Sequence, residues 1–351
     1  MSVTTHTDNR QRFIPLRVAD SGICCAVGYH AQAASCALRA GMDHFQESNF
    51  ITSDGSPIRV ARLDEDETWG PARLALWARY AIEECLEFVP AAQRAQIPTV
   101  LITAVPDHPR TPEQAAFETA QAAQEALETR FAPHSRLFQG GRADLAQGLI
   151  YASGLLTSKQ ATRVLVVGLD SLLNAATITN FLHQERLLVA GNSDGFIPGE
   201  GAAAVLLELA ENTRAPGLYI LGIGQGMEPG RPDGSVPSRA RGLSHAIRQA
   251  MQHANCDTTA LSFRVSDQNG ESFFAREAAN ALTRVSTPGG SLPSVLTTAD
   301  CTGEIGAATG PLMLAWLHHL LPHHDAPGEC GLLHLANDTG ERTAVIVRQQ
   351  R

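Results

Sequence analysis

The stretch 186–208, RLLVAGNSDGFIPGEGAAAVLLE, decides the fold. Gly195, Gly199 and Gly201 crowd one turn, and residues without a Cβ permit backbone paths closed to others. The apolar run 202–209 (AAAVLLEL) follows directly and has the length of a strand. Upstream, RVLVVG at 163–168 is a second apolar strand, leading through VVGLDSLLN (166–174) into a long loop. Strands that are apolar on both sides need cover on both faces, which points to layered α/β architecture.

Outward from this centre, strands and helices alternate. Residues 17–28 read as a strand entering a glycine turn, and 31–40 as a helix closed by Gly41. A strong amphipathic helix is expected over 70–89, ending before Pro90, and a buried strand over 99–105. Thr111–Pro112 suits a helix start, with the helix running to about Arg130. A short strand at 135–138 precedes Gly140–Gly141 and a helix over 143–157. From about Pro216 the pattern restarts: strand 218–224, helix 238–254, weak strand 262–266, helix 273–284, strand 294–298 and helix 306–320. A closing hairpin has arms 331–336 and 342–348, turned by Asp338-Thr339-Gly340. The break near 212–217 divides the chain into two similar halves, 1–215 and 216–351.

Composition excludes several function classes. The net charge of −9 argues against a nucleic-acid surface or an anionic membrane surface. No apolar run approaches the roughly 18 residues that a membrane span needs. The polar stretch 1–12 lacks the apolar core of a secretory signal. Seven cysteines in 351 residues, none in a CxxC pair and most in apolar contexts, do not make a disulfide scaffold. The expectation is a cytoplasmic, reduced protein.

The segment 164–208 resembles the β-ketoacyl synthases of the thiolase superfamily, in which a Gly-Phe-x-x-Gly-Glu-Gly-Ala turn leads into the last strand of the first half. Gly195, Phe196, Gly199, Glu200, Gly201 and Ala202 match in order. Ser21-Gly22, Ala26-Val27-Gly28 and Arg39-Ala40-Gly41 resemble the family's first strand, turn and helix end. The run 303–310, GEIGAATG, resembles its Gly-His-x-x-Gly-Ala-Ala-Gly element. The resemblance implies a thiolase-like αβαβα layered fold of two pseudo-symmetric halves, usually dimeric.

The family's condensing enzymes use a cysteine at a helix N-terminus, with two histidines, or histidine and asparagine, around the thioester. Counting back from Gly168 puts the nucleophile position at Arg142, or within two residues at Ala143 or Asp144. No cysteine lies between Cys85 and Cys256. The first histidine position holds Asn269, and the second falls at about Gly303, beside Glu304. No histidine lies between His253 and His318. One reading is a scaffold that lost catalysis; the other is new chemistry from Arg142, Asp144, Asp267, Asn269 and Glu304 in one cavity. The glycines at 199–201 serve the backbone turn in either case.

Other features read as structural. Cys24–Cys25 fall in an apolar strand and are expected to be buried. His319 and His323 have ligand spacing, but Pro322 interrupts the helix and no acidic or cysteine ligand joins them, so a solvated helix end is expected. Asp64-Glu65-Asp66-Glu67 reads as a solvated helix start. The run Gly222 to Gly226 misses dinucleotide spacing. The loop 337–341 is polar and short where the family carries a gating phenylalanine. No cofactor and no metal are expected.

The non-catalytic relatives so implied are of two kinds. One accompanies type VI secretion effectors as an adaptor or co-chaperone, and the N-terminal stretch 21–50 resembles it more. The other is the chain length factor that pairs with a ketosynthase in fatty acid or polyketide (aryl polyene) synthesis. The expected partner is a protein, a secretion effector or a ketosynthase, in a homo- or hetero-dimer.

Overall fold

The structure, a computed structural model, describes residues 13–65, 67–107, 112, 114–210, 215–287 and 292–351. The polar stretch 1–12, Asp66, Thr111 and residues 212–214 of the break lie outside the described residues. Twelve strands are described: β1 Leu16–Cys25, β2 Phe45–Ile51, β3 Pro57–Ala61, β4 Thr99–Ile102, β5 Arg136–Phe138, β6 Val164–Ser171, β7 Glu200–Leu209, β8 Gly217–Met227, β9 Phe263–Ser266, β10 Ser294–Thr297, β11 Cys330–Ala336 and β12 Glu341–Gln350. The helices are α1 Ala31–Ala40, α2 Gly70–Cys85, α3 Ala91–Arg94, α4 Ala115–Ala126, α5 Leu145–Thr157, α6 Ala175–His183, α7 Arg241–Ala254, α8 Ser272–Val285, α9 Ala299–Thr302 and α10 Thr309–Leu320.

Ten strands run in the order β10-β9-β11-β12-β8-β1-β7-β6-β4-β5, while β2 and β3 form a separate hairpin. The order is palindromic in its chemistry. From β1 outward the pairings are antiparallel, antiparallel, parallel, parallel. From β8 outward through β12, β11, β9 and β10 the same sequence repeats. The two runs of strands meet where Leu16–Val18 of β1 pairs with Leu218–Ile220 of β8.

Five layers follow. One outer layer packs Trp77, Ala78 and Ala81 of α2 on Leu165, Val167 and Ala204. The other packs Leu243, Ile247 and Ala250 of α7 on Leu332 and Ile346. Between the two half-sheets, α5 and α10 share one core with both. Every residue of α10 except His318 and His319 is buried, as a helix apolar on all sides must be. The glycine run of β8 is a packing device: a Cβ at Gly224 would sit 1.9 Å from the Ala246 carbonyl of α7. This is the thiolase-like αβαβα fold.

The structure corrects several boundaries. The helix expected to reach Val89 ends at Cys85, and Leu86 to Val89 form a turn. The one expected to reach Arg130 ends at Ala126. The loop after β6 contains α6, capped by Asn174, whose side chain accepts from the Thr177 N–H. The 306–320 helix is a single turn at Gly306–Ala308 followed by α10. His318 is not solvated: its Nδ1 lies 2.9 Å from Ser21 Oγ, and burial pushes its pKa down to about 4. Cys24 and Cys25 are buried as expected, but Cys36 is exposed. No metal-binding group and no helix able to cross a membrane occurs among the described residues.

Candidate functional site

The glycine turn at the end of the first half builds the site from its backbone. Glu304 N–H donates to the Ile197 carbonyl at 2.8 Å, and Gly199 N–H to the Glu304 carbonyl at 2.9 Å. The loop carrying Glu304 is thus stitched to the 195–201 turn. Gly303 must be glycine: its φ is +66° with ψ −172°, and a Cβ there would lie 2.7 Å from the Ile197 carbonyl. The sequence placed the second site position at about Gly303; the side chain that enters the cleft is that of Glu304.

Beneath the same turn, Glu200 is fully buried against Arg73. The pair is bidentate, Nη2 to Oε1 at 2.6 Å and Nε to Oε2 at 2.9 Å. Leu63 N–H and Ser171 Oγ also donate to this carboxylate. Glu200 is therefore a structural anchor for strand and helix.

Arg142 opens a single helical turn, Arg142–Asp144, that runs into α5. Gly141 reaches it with φ +64°, its N–H on the Thr103 carbonyl. The Ala143 N–H, at the helix start, is taken by Asn337 Oδ1 at 3.1 Å. Asn337 Nδ2 in turn donates to the Gly140 carbonyl at 2.6 Å. The loop 337–341 is short and polar as expected, and its residues are built into the site.

Arg142 is 8 % exposed, and its side chain enters an ion-pair network. Its Nη1 donates to Glu304 Oε2, its Nε lies 3.8 Å from Asp267 and its Nη2 3.6 Å from Asp338. Asn269 Nδ2 donates to the same Glu304 oxygen at 2.8 Å and to Glu271 at 3.2 Å. Arg186 closes the network, bidentate to Glu271 at 2.6 and 2.9 Å and donating to Asp338 at 2.6 Å. Four carboxylates face two guanidinium groups. Burial opposes the charge of Arg142, but Glu304, Asp267 and Asp338 together hold its pKa above the ordinary value. Burial pushes Asp267 and Asp170 up to about 6; Arg142 and the Ala336 N–H pull Asp267 back, and the Ala307 and Ser171 N–H groups pull Asp170 back.

Of the residues singled out in sequence, the structure brings Arg142, Asp267, Asn269 and Glu304 together. Asp144 stays apart: its carboxylate accepts from the Gly140 backbone, and burial raises its pKa. Ala143 contributes only backbone. Arg186, Glu271, Asn337, Asp338 and Asp170 were not anticipated. Arg186 begins the very stretch that decides the fold, yet only the folded chain carries it to Glu271 and Asp338. The cleft above the network has a volume of about 430 Å³. Its lining includes Ser171, Thr177 and Thr339 and the apolar Val105, Leu172, Phe181 and Phe196, and neither cysteine nor histidine.

No protein-family model matches the chain, and no curated protein matches it in sequence. Solved structures match it along nearly its whole length. A ketosynthase in complex with its chain length factor from Xenorhabdus doucetiae matches with a TM-score of 0.73 at 14% identity, covering 97% of this chain and 99% of that one. A β-ketoacyl synthase from Burkholderia phymatum matches at 0.72 and 16%, covering 96% and 100%. An oxazolomycin ketosynthase domain from Streptomyces albus matches at 0.79 and 12%, covering 96% and 74%. At these identities the likeness is one of fold alone, and that fold is the thiolase-like fold of the ketosynthases.

Proposed function

We propose that this chain is a non-catalytic ketosynthase-fold protein that works by binding a protein partner, as an adaptor or co-chaperone, with a type VI secretion effector as that partner. The observation that carries the non-catalytic reading is Arg142. At the position where the resemblance requires a thiolate stands a buried guanidinium, tied to Glu304 and crowded by Asp267 and Asp338. A cation fixed by carboxylates is no nucleophile, and the Ala143 amide is already engaged by Asn337. The two halves, 1–215 and 216–351, would serve as a scaffold for contact surfaces, the chain pairing as a dimer and needing neither cofactor nor metal. The choice of an effector rests on the resemblance of the N-terminal stretch.

A second reading, a chain-length-factor-like partner of a ketosynthase, is favoured by the assemblies among the structural neighbours. The Xenorhabdus doucetiae structure is one, and the ishigamide ketosynthase/chain length factor is another. The cleft beside Arg142 has a charged and polar floor of Asp170, Arg186, Asn269, Glu304 and Asp338 together with apolar wall residues Val105, Leu172, Phe181 and Phe196, so its lining alone does not separate the two readings.

A tagged pull-down from the native organism, read by mass spectrometry, separates the two. Recovery of a secretion effector supports the adaptor; recovery of an active ketosynthase with an acyl carrier protein overturns it. Asn269→Ala and Asp144→Ala are expected to leave partner capture intact. A malonyl-thioester turnover abolished by Asn269→Ala would overturn the non-catalytic reading.

A further inference from the structure

The face of α7 turned to solvent is basic in a chain whose net charge is −9. Its inward residues Leu243, Ala246, Ile247, Ala250 and Met251 are buried in the outer core. Arg241, His245 and Arg248, spaced four and three apart, form the exposed stripe. Arg284, at the end of α8, stands beside them, and Arg248 Nη2 donates to its carbonyl at 3.0 Å, tying the middle of α7 to the end of α8. These groups line a cleft of about 700 Å³ with Met227 at its edge, 59 % exposed. No acidic residue lines it, and among the described residues Arg241, Arg248 and Arg284 make no ion pair with a carboxylate.

We propose that this cleft is a docking groove for an acidic, extended segment of a protein partner. The helix end does not supply the attraction, because Glu228 already fills it, accepting from the Gly242 N–H at 2.8 Å and the Arg239 N–H at 3.0 Å. The arginine side chains supply it, and their spacing selects the occupant. Seven residues of helix separate Arg241 and Arg248 by about 10 Å along the axis. Alternate side chains of an extended strand recur about every 7 Å, so two or three carboxylates fall within reach of these long side chains. Arginine holds such carboxylates with paired N–H donors.

The overall charge argues against a nucleic acid or a membrane. Those polyanions extend far beyond one cleft and meet the acidic remainder of the surface, whereas a short peptide senses charge within about 8 Å at physiological salt. Exposed Met227 adds an adaptable apolar contact suited to a peptide side chain. The groove shares no lining residue with the Arg142 cleft, so the inference stands whether or not that cleft is inert.

Fluorescence anisotropy of a labelled nonapeptide with glutamate at alternate positions and one leucine tests it, beside a glutamine counterpart. The expected result is binding of the glutamate peptide that weakens at least tenfold in Arg241→Glu/Arg248→Glu and again in Arg284→Glu, and falls with added salt. Arg79→Glu, an exposed arginine on α2, is expected to leave binding unchanged. All four positions are at the surface, and circular dichroism checks that each variant is folded. Failure of the unaltered protein to bind the peptide overturns the proposal. So does equal binding of the glutamine peptide, equal binding by the charge-reversed variants, or tighter binding of phosphatidylserine vesicles or a 20-nucleotide RNA.

Discussion

Removing Arg142 tests the idea that the start of α5 is closed by an ion-pair lock. In Arg142→Ala, Glu304 keeps only the Gly306 N–H at 2.9 Å and Asn269, and Asp267 keeps the Ala336 N–H at 2.6 Å. Breaking a buried pair by deleting one partner costs about 3–5 kcal/mol. Asp267 relieves part of this by taking a proton, so about 4 kcal/mol is expected at pH 7, and less at pH 5.5. Glu304→Ala leaves the guanidinium with Asp267 at 3.8 Å and Asp338 at 3.6 Å, so its cost is lower, about 2–3 kcal/mol. The double variant leaves neither orphan and costs little more than Arg142→Ala, giving a coupling energy of about 2 kcal/mol. Urea unfolding of the four proteins measures the cycle. A coupling below about 0.5 kcal/mol, or Glu304→Ala proving costlier than Arg142→Ala, would refute the lock.

Arg142→Cys is expected to give a sluggish thiol, since burial among Glu304, Asp267 and Asp338 raises thiol pKa values; peptide mass spectrometry after brief iodoacetamide treatment at pH 7.5 should find exposed Cys36 modified first. Asp267 holds its proton more tightly in the fold, near 6, than in an unfolded chain, so its contribution to stability is present at low pH and lost as pH rises through 6. Asp267→Asn cannot ionise and should gain on the wild type by up to about 3 kcal/mol between pH 4 and 7; an unchanging difference in urea midpoints would refute this. Gly303→Ala, forced to φ +66° with its Cβ against the Ile197 carbonyl, should cost about 2–4 kcal/mol in the same assay. Glu200→Ala strands the Arg73 guanidinium and the Leu63 N–H, and a loss of about 3–5 kcal/mol should appear as a lower Tm.

Most helices and sheet strands were legible because their signals are local. The apolar runs of β6 and β7, the glycine cap at Gly41 and the hairpin turn at Asp338-Thr339-Gly340 all lie within a few residues of what they shape. What escaped had a weaker local signal. In α6, Thr177, Ile178 and Thr179 are poor helix formers, and only the Asn174 cap and the Ile178–Phe181 spacing could have revealed it. The β2–β3 hairpin has a half-exposed, mixed pattern around its Asp54-Gly55 turn.

The sequence by itself determined the layered α/β fold, the glycine turn at 195–201 and the lack of cysteine between Cys85 and Cys256 and of histidine between His253 and His318, since periodicity, turn chemistry and residue identity need no partner. Only the tertiary structure decided which side chains meet beside the start of α5. Arg142, Arg186, Asp267, Glu304 and Asp338 come from five separate connections, and their meeting depends on strand register and on one loop stitched to another through Ile197, Gly199 and Glu304. An ion-pair network is a property of distances between remote side chains. No pattern along the chain encodes those distances until the sheet has set them.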